Sequence, residues 1–302
     1  MQPSVLTSTI LTFAAIVGVG ALLRAFRVLR AEDAKTLNAV IVYVGLPVFI
    51  FQAVRGAELG GDVWRVVAVA WIAFAAAFGI AWVLSRVRAH DPQRRGAFLL
   101  AAAFGNTGFI GYPVAAAVLG AAAVPMAVFS DVFGTVFALV LIGLPVAARL
   151  GGGNTRVNLV RELLTFPAVI ALAAGLIARP LPIPSAVSSG LDLLANLVAP
   201  LIMLSVGLAL KPRSLVRGAV DVGLVSVVRL ALAPMIALLV GDVMLSGQAL
   251  QVATLQAGMP TMMLTLVVGE RFGLDSDFIA SAIFTTTVLS AVTIPLIQAV
   301  VG

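Results

Sequence analysis

Residues 105–113 read GNTGFIGYP and interrupt an otherwise apolar run that extends from 96 to 119. Three glycines, an Asn, a Thr and a Pro in so short a stretch cannot hold a continuous helical ladder. Pro113 has no amide donor, and its ring collides with the carbonyl four residues back. The helix is therefore predicted to unwind or kink here. A second interruption, QAGMPT at 256–261, lies inside the apolar run 248–269 and combines Pro260 and Gly258 with polar Gln256 and Thr261.

Both breaks sit in a chain of 302 residues that is 61% hydrophobic and only 11% charged, whereas soluble domains are about one-quarter charged. Apolar runs recur at 4–23, 36–54, 64–85, 96–119, 123–148, 162–178, 187–210, 218–240, 248–269 and 277–300. About 20 such residues cross a bilayer as a helix. An open sheet would leave backbone groups unpaired in lipid. The expected fold is an all-α integral membrane protein of ten transmembrane helices. The first run lacks the basic start and small-residue cleavage site of a signal peptide and is read as the first helix.

The net charge of +6 does not form one basic face, so nucleic acid is not an expected partner. The cations fall in short gaps instead. The odd-numbered connections carry Arg24, Arg27, Arg30 and Lys35; Arg86, Arg88, Arg94 and Arg95; Arg149, Arg156 and Arg161; Lys211, Arg213 and Arg217; and Arg271. The even-numbered ones hold only Arg55, Arg65 and Arg179. The positive-inside rule then places the odd connections in the cytoplasm and both termini outside, in the cell (inner) membrane. There is no Cys, and the one His, His90, lies in a charged loop where it is read as solvated, so no metal or cofactor site is expected. No Walker motif is visible, which argues against ATP hydrolysis by this chain.

Prolines suggest a duplication: Pro47, Pro113 and Pro145 answer to Pro200, Pro260 and Pro295 at offsets of 153, 147 and 150 residues. Five helices per half is an odd number, so two equivalent halves enter the membrane from opposite sides. The predicted organisation is an N-terminal repeat (1–148), a cytoplasmic linker (149–161) and an inverted C-terminal repeat (162–302). Inverted repeats with helices broken at matching positions mark the binding site of secondary transporters. Where helices 4 and 9 cross, freed backbone groups and half-helix N-termini suit an anion. The candidate substrate-binding residues are Asn106, Thr107 and Gln256 as hydrogen-bonding side chains, Gly105, Gly108, Gly111 and Gly258 as points of close backbone approach, Thr261, and the prolines Pro113 and Pro260.

Arg229 falls near mid-bilayer, where an arginine costs about 2.5–3.5 kcal/mol on a translocon scale. It needs a partner. Asp131 in the fifth run and a substrate anion are the two candidates, which makes Asp131 and Arg229 a candidate charge relay or counter-ion. Asp192, Asp221 and Asp242 are read as interfacial, and Glu270 with Arg271 as capping the ninth run.

GNTGFIGYP, together with the long stretch 256–296 that begins QAGMPTMMLTLVVGERFGLDSDF, resembles the auxin efflux carrier family of membrane transporters. The likeness covers nearly the whole chain, including Leu46–Pro47 and SVGLAL at 205–210. It implies a fold similar to that of bile acid sodium symporters, with helices 1, 2, 6 and 7 as a scaffold and helices 3, 4, 5, 8, 9 and 10 as a moving transport domain. The scaffold helices would be the surface of any homodimer. The resemblance matches Asn106 to the family's carboxylate-contacting asparagine and Pro113 and Pro260 to its crossover prolines. It implies secondary active transport of a small organic anion, malonate-like, malate-like or auxin-like, with H+ or Na+ as candidate coupling ions and membrane lipid as surroundings. The alternative is a sodium-coupled symporter of amphipathic, bile-acid-type anions. An intramembrane enzyme or sensor ranks lower, because no cluster of His, Asp or Glu occurs at membrane depth.

Overall fold

The computed structural model describes residues 3–30, 32–57, 60–88, 90–152, 157–209 and 218–302. Arg156, Lys211, Arg213 and Arg217, which the charge pattern places in cytoplasmic connections, lie outside the described residues. In chain order the helices are α1 (Pro3–Ala25), α2 (Asp33–Arg55), α3 (Asp62–Val87), α4 (Pro92–Ala103), α5 (Gly111–Leu119) and α6 (Ala121–Leu150). There follow α7 (Leu159–Leu164), α8 (Pro167–Ile177), α9 (Ser185–Ala209), α10 (Ala219–Met244), α11 (Gly247–Ala257), α12 (Leu264–Phe272) and α13 (Ser276–Val301). Six of the described helices, α2, α3, α6, α9, α10 and α13, are long and apolar enough to cross a membrane. Their outward residues are apolar too, among them Val83, Leu193, Leu239, Val243 and Val292. A face of that kind belongs in lipid.

Proline accounts for most departures from straight helices. The predicted run 162–178 divides into α7 and α8 because Phe166, which precedes Pro167, is extended (φ −72°, ψ 122°), as a residue before proline prefers. The wide π-helical turns at Ile41–Gly45, Leu139–Gly143 and Val228–Leu232 each end just ahead of a proline, Pro47, Pro145 and Pro234. A turn that opens at that point accommodates the missing donor and the bulky ring. Pro200 and Pro295 lie inside α9 and α13. The ninth run is closed by Gly273, left-handed at φ 74°, and not by Glu270 and Arg271; only glycine enters that conformation readily. Arg271 instead bonds Glu162 at 2.6 Å.

The chain divides into two compact units. The first comprises Met1–Leu59, Gly108–Val128 and Leu164–Leu210. Within it α1 lies along α9, and α8 packs on the C-terminal half of α2. Gly20 and Gly207 face each other at the α1–α9 crossing, where a Cβ on either would run into backbone, the Leu204 carbonyl for Gly20 and the Val17 carbonyl for Gly207. Two cations that break the positive-inside pattern have structural employment here. Arg55 donates to the Ala178 and Leu181 carbonyls at 3.2 and 2.6 Å, and Arg179 donates to the Ala57 carbonyl. They satisfy helix-end carbonyls whose position is independent of topology. Gly207→Val should cost about 1–3 kcal/mol through overpacking against backbone that cannot yield. The expected result is a lowered thermal midpoint and a smaller monodisperse fraction in size-exclusion chromatography; an unchanged profile would contradict the close crossing.

The second unit comprises Gly60–Thr107, Phe129–Leu163 and Lys211–Gly302. Its core is α4, every residue of which from Gly96 to Ala103 is buried, packed among α3, α6, α10 and α13. Asp91 starts α4 by accepting from the Arg94 amide at 2.8 Å, with Pro92 at a position where no donor is needed. Beside this cap, Asp221 accepts from Arg88 Nε (3.0 Å), His90 Nε2 (3.1 Å) and Arg94 (3.1 Å), and Arg94 also bonds Asp275 at 2.9 Å. His90 is therefore buried and paired, contrary to the solvated reading, and Asp221 is a buried hub. The sequence could not show this because the partners lie more than 120 positions apart.

Candidate functional site

The two breaks meet inside the second unit. Helix α4 ends at Ala103, and Phe104 leaves it extended (φ −98°, ψ 115°); helix α11 ends at Ala257, and the chain resumes helix only at Leu264. The unwound segments pair as a short antiparallel bridge between Gly105 and Thr261. Asn106 N donates to Pro260 O at 2.7 Å, and Met262 N donates to Phe104 O at 2.9 Å. Pro260 could not donate in a helix, but here it needs only to accept. The backbone groups that each break releases are thus partly satisfied by the other break.

Thr261 belongs to this framework. Its hydroxyl donates to Ala101 O at 2.9 Å and its amide to Thr286 Oγ1 at 3.0 Å. Gly258 sits where a Cβ would press on Ile297 and Pro234. Gly105 lies flat under a guanidinium, where a Cβ would come 3.1 Å from Arg229. Arg229 itself is 4% exposed and donates to three main-chain carbonyls, Ala103 at 2.8 Å, Met259 at 2.9 Å and Ala257. Two of these carbonyls end helices α4 and α11, where the partial negative charge of the helix dipole favours a cation. The intramembrane arginine that the sequence leaves in want of a partner clamps the C-terminal ends of both broken half-helices.

Asp131 lies in a second cluster. It is 3% exposed and accepts from Thr107 Oγ1 at 2.5 Å, and Thr107 Oγ1 is 3.0 Å from Thr135 Oγ1. Asp131 falls in the π-helical turn Ser130–Val136 of α6, a distortion frequent at functional sites. Ser130, Gly134, Thr135, Thr107, Gln256 and Arg229 all line one cavity of about 30 Å³, room for a water or two. Ser130, Gly134 and Thr135 escape the sequence reading, although polar or small residues at 130, 131, 134 and 135 share one helical face, a pattern that could have flagged them.

Asn106 stands apart from both clusters. It is 1% exposed, its backbone is fixed by the Pro260 bond, and its side-chain Nδ2 finds no acceptor among the described residues. A buried amide donor left unmet costs about 1–3 kcal/mol. Gln256 is also 1% exposed and lines the cavity. Gly108, Gly111 and Pro113 fall in the first unit. Pro113 lies outside the break: helix α5 begins at Gly111, so Pro113 occupies its first turn, where a missing donor is tolerated. The break itself is carried by the residues from Phe104 to Ile110.

Comparison with known proteins agrees with a carrier. A transporter of Methanothermobacter thermautotrophicus, otherwise described as uncharacterized, is 34% identical over 96% of both chains. Another from Methanocaldococcus jannaschii is 30% identical over 93% of this chain and 94% of its own. A protein of Rhizobium meliloti named "Putative malonate transporter" is 26% identical over 96% of this chain and 93% of its own. The family model described as "Membrane transport protein" matches residues 5–155 and 154–298, nearly the full length. The chain belongs to this membrane transport family, that of the auxin efflux carriers.

Proposed function

We propose that this protein is a secondary active carrier of a small organic anion, a malonate- or malate-like dicarboxylate or an auxin-like monocarboxylate, working by alternating access around the crossed breaks. The observation that carries the reading is Asn106 Nδ2, a buried donor with no acceptor among the described residues, at the crossing of two unwound segments. A carboxylate oxygen is the natural complement of such a donor. The name of the Rhizobium meliloti relative favours the dicarboxylate. The cavity of about 30 Å³ is too small for malonate, so substrate binds only when the site opens.

In the same reading the chain forms ten spans in two inverted five-helix repeats, with α4 and α5 as the halves of the fourth and α11 and α12 as those of the ninth. Both termini lie outside the cytoplasm. The grouping of α1, α2, α8 and α9 in one compact unit, and of α3, α4 and α10 to α13 in the other, supports a scaffold and a transport domain, while α5 and the start of α6, as far as Val128, group with the first unit. The test is uptake into proteoliposomes of labelled malonate, malate and an aromatic monocarboxylate, with and without sodium or a pH gradient. Saturable uptake of one of these acids, independent of sodium, is expected. Uptake confined to bulky amphipathic anions and requiring sodium would replace this reading with the symporter one, and no uptake above protein-free liposomes would contradict both.

A further inference from the structure

A second feature of the same unit lies at the opposite extreme of polarity, where α3 leaves the apolar zone. Trp82 is 37% exposed there, beside Val83 and Val87, which are 59% and 76% exposed. Two guanidinium groups approach its ring: Arg86 from the next turn, 5.0 Å from the ring centre, and Arg95 from the first turn of α4, at 4.4 Å. One cation over an indole face is an ordinary attraction. A second cation at the same ring adds like-charge repulsion.

Among the described residues no ion pair offsets that repulsion. The neighbouring Arg88, His90 and Arg94 are engaged by Asp221, and Arg94 also by Asp275. Among the described residues no carboxylate pairs with Arg86 or Arg95, and Arg95 Nε and NH2 are covered without an acceptor. A covered cation with unmet donors calls for an anion. The exposed valines place the pair at the lipid boundary, at the depth where tryptophans gather and basic pockets between helices take anionic headgroups.

We propose that Trp82, Arg86 and Arg95 form a site for the headgroup of an anionic phospholipid. The two guanidinium groups hold the phosphodiester, the indole sits at the level of the glycerol backbone, and Val83 and Val87 face the acyl chains. The site lies apart from the crossing, so its occupancy is independent of which substrate the carrier moves.

The test is native mass spectrometry of delipidated, detergent-solubilised protein titrated with phosphatidylglycerol, phosphatidylcholine or inorganic phosphate. Wild type is expected to retain phosphatidylglycerol in preference to phosphatidylcholine. Arg86→Gln and Arg95→Gln should each weaken that retention about fivefold, while Arg65→Gln, at a cation paired with Asp62 elsewhere, should leave it unchanged. Arg86 is exposed, so its substitution carries the test even if Arg95→Gln protein does not fold. Equal retention of the two lipids, or of phosphatidylglycerol by wild type and Arg86→Gln, overturns the proposal. Inorganic phosphate binding with the same arginine dependence overturns it in favour of a free-anion site.

Discussion

Arg229→Gln protein, extracted in mild detergent, should unfold well below the wild-type temperature, by about 6–12 °C. Arg229 is the common donor to the carbonyls of Ala103, Ala257 and Met259. Glutamine ends where the arginine Nε lies and has two donors in place of five, so it can serve Met259 but leaves the Ala103 and Ala257 carbonyls without a partner. Each unmet group costs about 1–3 kcal/mol, a total near 3 kcal/mol, and each kcal/mol moves the midpoint of a domain this size by about 2–4 °C. Arg229→Lys should rescue little, because an ammonium is a point charge and cannot span three carbonyls in a fork. Loss of transport in Arg229→Gln with an unchanged midpoint would show that the arginine serves substrate and not the half-helix ends.

Asn106→Ala should give the reverse profile. Its side chain makes no bond that folding needs, and removing an unmet buried donor relieves a cost, so the thermal midpoint should equal or exceed that of wild type. Transport should fall by about tenfold to a hundredfold, the equivalent of one hydrogen bond to a charged group at about 1.5–3 kcal/mol. Asn106→Asp should fall further, because a carboxylate there repels the substrate carboxylate. Uptake by Asn106→Ala at the wild-type rate would remove this residue from the site.

Much of this was legible in the chain. The breaks at 105–113 and 256–261 announce themselves because Gly, Asn and Pro are conspicuous in apolar runs, and both are unwound in the structure. What periodicity could not supply was partnership. Arg229 is an anomaly in a hydropathy profile, and the obvious remedy for a charge is an opposite charge, Asp131 or a substrate. The structure meets it with carbonyls, which every residue carries and no composition reveals. Pro113 misled in a related way. A proline signals a break only if it lies in a helix interior, and the chain places it in the first turn of α5, leaving the unwinding to the residues before it. His90 and Asp221 illustrate distance, since a loop histidine and a span-end aspartate read as solvated until folding brings them within 3.1 Å.

The absence of cysteine from these 302 residues gives a direct test of alternating access. Ser130, a buried residue lining the cavity at the crossing, can be replaced as Ser130→Cys with little change in size and probed with a membrane-impermeant thiol reagent in right-side-out and inside-out vesicles. Labelling from both sides is expected, slowed in each case by the transported anion. Labelling from one side alone, or labelling that the anion leaves untouched, would contradict alternating access.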